Sequence, residues 1–347
     1  MILLLPNTMH NLPNKLLHWK QTSWLIFGGL ACLLMSCGEH STSRELVVYS
    51  AGPREMAENI CEEFQKSSGI PTRLFSATTG EIMAKLAAEE FRPPADVVIL
   101  AGQTAAEVLK EQEKLAPLPE ADYLKLNPDW NDPDRFYAST GACALGVAMH
   151  KDHLDPSLDW PAIFDGDLKG KFIMPSPSQS GSSAEFVVSF HLTSPEMFWP
   201  GMKRLKKQGL QASGPNNQAL TSLILGAHEA VLGAADYLVF RQIAKGEPLA
   251  MHFPPSGCPL SQRPICILAS SHQQKEAAEF VQFCFSKEIQ TMIAAVHLLP
   301  ADPAIELSPQ RRAAATLHPI VVDVKEARKS QQKALHKFRY EIEKGVK

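Results

Sequence analysis

An alternation of short apolar runs with amphipathic stretches, joined by turns of Ser, Thr, Gly and Ala, most constrains what this chain can fold into. Leu46-Val-Val-Tyr49 reads as a strand. Pro53–Ser67 follows as a helix with Met56, Ile60, Cys61 and Phe64 on one face, and Ser68-Gly69 stops it. Pro71–Phe75 is a second strand and Glu81–Glu90 a helix with Ile82, Leu86 and Ala87 inward. After the break at Pro93-Pro94, Ala95–Leu100 is a third strand and Thr104–Glu113 a third helix. A run such as Asp96-Val-Val-Ile-Leu100 suits a sheet covered on both faces. The β-α-β-α-β-α order predicts an α/β fold with a mostly parallel, doubly wound sheet.

Beyond a less regular stretch, Leu118–Phe136, the alternation resumes. Ala142–Met149 is a strand, Trp160–Leu168 a short helix and Lys171–Met174 a strand. Ser182–His191, Pro195–Gln208 and Gln218–Leu225 are helices, and Ala230–Ala234 is a strand. Near Ile265–Ala269 the pattern returns to a strand like those of the first region, before helices at Glu276–Phe285 and Glu288–Ala295. A chain that leaves one α/β lobe, builds a second and returns predicts a two-lobed clamp. Residues 45–135 with about 265–347 would form lobe 1, and 136–264 lobe 2. The charged helix Asp323–Lys347 carries Val322, Ala327, Ala334, Phe338 and Ile342 on one side, so it is expected to pack on the domain. A basic helix also admits a membrane or protein partner.

The first residues read as an export signal. Lys15 and Lys20 flank an apolar core at residues 24–35, too short for a comfortable membrane span of about 20 residues. Ser36 then precedes Cys37, as lipoprotein processing requires. The expectation is a leader over 1–36, lipidation at Cys37 and a polar tether over 37–44; an uncleaved anchor is the alternative, and Met9 could be the start. A tethered, exported protein works in the periplasm or at the cell surface, where no nucleotide cofactor is at hand, and none is expected here. Composition is globular, 45% hydrophobic and 20% charged, and a net charge of −3 offers no basic excess for nucleic acid. Five cysteines follow Cys37, an odd number that rules out a fully paired scaffold. Cys258 and Cys266 either clip a hairpin or stay buried as free thiols.

Ligands of open α/β sheets sit beyond the carboxyl ends of the strands. Four small polar turns fall there: Ser50-Ala51-Gly52, Thr78-Thr79-Gly80, the turn containing Gly102, and Ser180-Gly181-Ser182. Thr79, and Ser182 or Ser183, would open the helices that follow. Free N–H groups and the helix dipole at such starts favour an anion, although Ser and Thr also cap any helix. Asp236 and Tyr237 follow a strand, and could accept from a ligand hydroxyl or amine or ligate a hard metal. No G-x-S-x-G, Walker or G-x-G-x-x-G motif occurs, so no catalytic residue is assigned. His150, His153 and Asp155 fit a solvated linker.

The residues also resemble a known family. Val47-Val-Tyr-Ser-Ala-Gly52, Thr79-Gly-Glu-Ile-Met-Ala-Lys-Leu86, Ala95-Asp-Val-Val98, Ser180-Gly-Ser182, Gly233-Ala-Ala-Asp-Tyr237 and Leu298-Leu-Pro-Ala301 are similar to bacterial extracellular solute-binding proteins of family 1. So is Trp160 with Leu168-Lys-Gly-Lys-Phe-Ile-Met-Pro175. The likeness spans roughly 45–305 and is strongest to the ferric-iron, phosphonate and sugar-phosphate branch, with a fainter likeness to molybdate binders. It implies a type II periplasmic-binding fold, a monomer closing on its solute, and delivery to an ABC permease with its ATPase. Iron binders of this branch usually carry two adjacent tyrosines where this chain has Asp236-Tyr237. The expected solute is therefore a small phosphate-, phosphonate- or oxyanion-bearing molecule. Fe³⁺ held by Asp236 and Tyr237 is the alternative cargo.

Overall fold

The structure, a computed structural model, describes residues 44–166, 171–313 and 317–344. The expected leader, the lipidation site Cys37, most of the tether and the segment Leu168-Lys169-Gly170 lie outside the described residues. No described helix is long and apolar enough to cross a membrane.

The first region folds as the alternation predicts, into β1 (Leu46–Ser50), α1 (Arg54–Ser68), β2 (Thr72–Ser76), α2 (Thr79–Ala88), β3 (Val97–Ile99) and α3 (Gln103–Glu111). β1 lies between β2 and β3 and is parallel to both. Its five residues are all buried, which explains an apolar run without alternation. α1 buries Met56, Ala57, Ile60, Cys61 and Phe64, a stripe at helical spacing. Phe64 meets Phe280 edge to face.

The short strand β4 (Leu115–Ala116) leads to β5, which spans Ala138–His150. β5 begins four residues before the expected Ala142, because Ala138–Ala144 pairs antiparallel with a second long strand and Leu145–Met149 pairs with another. After α4 (Trp160–Asp165), the chain repeats the alternation with β6 (Phe172–Met174), α5 (Gly181–Thr193), α6 (Pro195–Lys207), β7 (Gln211–Ala212), α7 (Asn216–Ile224), β8 (Ala230–Ala235) and α8 (Asp236–Ala244). β6 is parallel to β7 and β8. Trp160, Phe164, Phe186, Phe190 and Phe198 stack edge to face and offset in the core. α5 buries every residue from Ser182 to Phe190, so it is a core helix rather than an amphipathic one.

β9 (Leu249–His252) then pairs with β5, and β10 (Cys258–Leu268) carries the chain back to β3. The sheet runs β2-β1-β3-β10-β5-β8-β6-β7. Its two central strands, β5 and β10, pair antiparallel. β10 is one strand and not a hairpin. Eight residues separate Cys258 from Cys266, about 27 Å at the usual strand rise, far beyond disulfide reach. Both are free and buried, as are Cys61, Cys143 and Cys284.

The chain closes with α9 (Gln274–Cys284), α10 (Lys287–Ala295), β11 (Leu299–Pro300), α11 (Pro309–Ala313), β12 (Pro319–Ile320) and α12 (Val324–Phe338), which widens into a π-helical turn over Arg339–Glu343. On the expected apolar side of this last helix, Ala327, Ala334, Phe338 and Ile342 are buried and Val322 is half-buried. α12 packs on both α3 and α5. Arg328 pairs with Glu111 on one side, and Lys203 with Glu341 on the other.

Candidate functional site

A cleft of about 600 Å³ opens where six helices begin or end. Its walls come from the start of α1 (Ala51–Met56), the β2–α2 turn (Ser76–Thr79), the start of α5 (Gln179–Ser182) and the start of α7 (Pro215–Asn217). Tyr237, Leu238 and Arg241 of α8, Arg263 of β10 and the turn Ala295–His297 complete them. Of the residues singled out by sequence, Ala51, Gly52, Thr78, Thr79, Ser180, Gly181, Ser182 and Tyr237 line this space. Ser50, Gly80, Gly102 and Asp236 do not.

The reasons are local. Ser50 is 1% exposed, and its hydroxyl accepts from the Gly52 N–H at 3.1 Å, bending the chain into α1. Thr78, not Thr79, caps α2. Its hydroxyl accepts from the Glu81 N–H at 3.2 Å while the Glu81 carboxylate accepts from the Thr78 N–H at 2.8 Å, a reciprocal capping box. Those bonds hold the Glu81 carboxyl below its ordinary value. The hydroxyl of Thr79 instead accepts from the Ala101 N–H at 3.0 Å. Ser180, two residues before the expected start, caps α5 by accepting from the Ser183 N–H at 3.1 Å. The first-turn N–H groups of Thr79, Gly80, Gly181 and Ser182 have no intrahelical acceptor.

Two of the glycines serve contact between the lobes. A Cβ on Gly181 would lie 2.0 Å from the Ala101 carbonyl, so only glycine lets α5 approach the first lobe this closely. Gly102 holds a φ of +115°, and a Cβ there would meet Glu185 of α5 at 2.5 Å. The turn at Gly102 is therefore filled by the protein's own carboxylate.

Asp236 departs most from its expected role. It is fully buried, and one carboxylate oxygen accepts from the Ala144 N–H at 3.0 Å and pairs with Arg311 of α11 at 2.8 Å. Burial pushes its carboxyl up, against the pull of Arg311. It ties α8 to β5 and α11 and cannot read a solute from there. Tyr237, the next residue, is 8% exposed and lines the cleft, with its phenol pushed up by burial.

The strongest group in the cleft escaped sequence reasoning. Arg263 is 3% exposed, its Nη1 donates to the Ala51 carbonyl at 3.2 Å, and its guanidinium lies 5.1 Å from the centre of the Tyr237 ring. Its Nε has no hydrogen-bond partner among the described residues, and neither has the buried Nε of Arg241, which also lines the cleft. The register of β10 against β5 shifts between Gln262 and Pro264. Such a bulge re-aims the extra residue, and the proline supplies no ladder N–H. An Arg beside a proline, inside a strand that pairs across both lobes, is the signal that could have found it.

His297 lines the opposite wall with a left-handed φ of 68°. Its carbonyl accepts from Arg311 Nε and Nη2 at 2.9 and 2.6 Å, and its Nδ1 lies 2.7 Å from the Ser308 hydroxyl. Burial, then the charges of Arg311 and Arg241, lowers its pKa. A lowered folded-state value means stability that is complete above about pH 6.5 and is lost as pH falls through the lowered value. His297→Asn, which tolerates the left-handed backbone, should show a smaller fall in Tm on acidification below about pH 6.5 than the unaltered protein; parallel acid limbs would remove His297 from that titration.

The profile of the bacterial extracellular solute-binding protein family matches residues 46–297. The chain belongs to that family. This solute-binding protein is 24% identical over 280 residues to a probable ABC transporter periplasmic-binding protein of Sinorhizobium fredii, the match covering 76% of each chain. It is 25% identical over 281 residues to the major ferric iron-binding protein of Neisseria meningitidis, covering 75% of this chain and 82% of that one. Two solved structures share its two-lobed type II periplasmic-binding fold. The ferric binding protein from Campylobacter jejuni superposes with a TM-score of 0.76 at 20% identity, over 87% of this chain and 99% of the other. The periplasmic binding protein AfuA from Actinobacillus pleuropneumoniae, with fructose-6-phosphate bound, gives 0.76 at 20% identity, over 86% and 98%. Fold and family make the cleft the place to look for the solute. Its three arginines, Arg54, Arg241 and Arg263, the first-turn N–H groups of Thr79, Gly181 and Ser182 and its single phenol are donors suited to an anion.

Proposed function

We propose that this solute-binding protein serves an ABC importer in the periplasm, capturing a small phosphate-, phosphonate- or oxyanion-bearing solute and handing it to a membrane permease and its ATPase. The protein would act as a monomer tethered through a lipid on Cys37. The observation that carries the anion reading is Arg263. A buried charge is costly unless paired, yet this guanidinium has an unpartnered Nε and no carboxylate beside it among the ion pairs of the described residues. An anionic solute, also reached by the starts of α2 and α5, is its natural partner. The cleft volume exceeds what a bare oxyanion fills, so an organic group attached to the anion is accommodated.

Ferric iron is the second reading, favoured by what two similar proteins are named for. Ferric iron calls for hard anionic oxygen ligands. Here Asp236 is withdrawn into its pair with Arg311, and burial pushes the Tyr237 phenol up, against the pull of Arg263. No group of three or more His, Cys, Asp or Glu side chains placed to hold a metal ion occurs among the described residues. Capture is favoured over hydrolysis by the hydroxyls themselves. Ser180 and Ser182 bond to each other, to the Ser183 N–H and to Asn216, with no histidine or carboxylate among these partners.

Native mass spectrometry of the purified protein tests the proposal. One anion per chain should be retained after incubation with phosphate, a phosphonate, fructose 6-phosphate or molybdate in turn, for at least one of the four. Retention of none would overturn the anion reading.

A further inference from the structure

Three helix starts meet at the junction of the lobes, but only two of them face the cleft. The third, the start of α3, is occupied by Glu185 from α5 of the second lobe. The carboxylate is 5% exposed and accepts from the Thr104 N–H at 3.1 Å and from the Thr104 hydroxyl. Gly102 makes room for it, since any side chain there would collide with the carboxylate. Gln331 of α12, the helix that packs on both lobes, donates to the same Thr104 hydroxyl at 3.0 Å. Around this point the lobes touch closely. Gly80 lies against the Ser178 carbonyl, and Gly181 against Ala101 and Thr79.

A helix start with free N–H groups attracts an anion, and here the anion is built into the chain. Burial pushes the Glu185 carboxyl up, opposed by its bonds to Thr104. No Lys, Arg or His forms an ion pair with it among the described residues, so the α3 start and the Thr104 hydroxyl are what hold it. It stands three residues beyond Ser182 in α5, which itself lines the cleft wall. The same contact that joins α3 to α5 thus sets where the start of α5 stands relative to Thr79 and Ala101.

We propose that Glu185 is an internal anion that latches the two lobes, occupying the helix start at their junction that does not face the cleft and bringing the lobes together before a solute arrives. It is a positioning residue: it acts on the cleft by placing α5 against α3. A receptor that is already largely closed binds with little loss to conformational selection, and removing the latch lowers apparent affinity by the factor by which it lowers the closed population.

Small-angle scattering of the full chain in phosphate-free buffer tests this directly, comparing the unaltered protein with Glu185→Gln. The variant should show a larger radius of gyration and maximum dimension with an unchanged circular-dichroism spectrum. Its Thr104 amide should exchange hydrogen faster, while amides late in α3 keep their protection. Thr104→Val, which deletes the donor hydroxyl from the other side, should do the same, and it stands in for Glu185→Gln if that variant does not fold. A residue serving only core stability would lower Tm and leave the radius of gyration of the folded variant unchanged. That outcome, with unaltered exchange at Thr104, overturns the latch. A second arm, which rests on the anion reading of the cleft, measures inorganic phosphate affinity, expected to fall roughly tenfold. Scattering without phosphate decides on the latch even if the cleft takes no phosphate at all.

Discussion

Arg263→Ala should weaken binding of the anionic solute by about 30-fold or more, the equivalent of about 2 kcal/mol, because truncating one partner of a buried, hydrogen-bonded charge pair removes that much. The expectation follows from where the side chain is held. The bulge at Gln262–Pro264 sends it toward the cleft, the Ala51 carbonyl fixes one arm, and the Tyr237 ring lies beneath the guanidinium. Arg263 lines the cleft, and its guanidinium is a planar fork suited to phosphate or carboxylate oxygens. Arg263→Lys should recover only part of the loss, since a lysine cannot both hold the Ala51 carbonyl and present a second, coplanar donor. Calorimetric titration of the three proteins with whichever anion binds the unaltered one checks this. Equal affinity in Arg263→Ala would place the anion elsewhere in the cleft, and full recovery by lysine would show that charge alone matters.

The second large effect concerns stability. Arg311→Leu should lower it by about 3–5 kcal/mol, the usual consequence of leaving one member of a buried ion pair uncompensated. In a chain of this size that is a fall in Tm on the order of 10 °C. Asp236 would be left fully buried with one oxygen already lacking a partner. The His297 carbonyl would lose both of its donors, and the Phe240 ring the cation 5.2 Å from its centre. Pairing Arg311→Leu with Asp236→Leu should restore part of the loss, because an apolar pair carries no stranded charge. The interaction energy from the full double-mutant cycle then measures the pair itself. Simple additivity of the two single losses in thermal unfolding would show that the residues do not act together.

The alternation of elements was legible because strand β1, helices α1 and α2, and strand β3 each carry their period or apolar run in a few consecutive residues. The long central strands were not. Ser139-Thr140-Gly141 is a polar stretch and Pro259–Pro264 is bounded by prolines, and only pairing between β5 and β10 makes them strand. Helix starts were found to within one or two residues. The box Thr78-x-x-Glu81 was available as a signal for the true cap of α2. The four polar turns all proved to lie at strand-to-helix junctions, but tertiary contacts divided them. The Thr78–Thr79 and Ser180–Ser182 turns face the cleft, while Gly102 faces Glu185. Asp236 and Tyr237 are adjacent in sequence, yet α8 sends one into the core and the other to the cleft wall. Arg263 and Arg311 were invisible for a common reason. Each matters through residues far away in the chain, Ala51 and Tyr237 for the first and Asp236 and His297 for the second.

The choice of an anionic solute over iron is tested most directly by one paired measurement on the purified protein: Tm and visible absorption, recorded together during titration with phosphate, phosphonate, sugar-phosphate and molybdate ligands and then with ferric citrate. The structure predicts a saturable rise in Tm with at least one of the anions, and no tyrosinate-to-iron absorption band with ferric citrate. A clear band with iron, and no change in Tm with any of the anions, would contradict it.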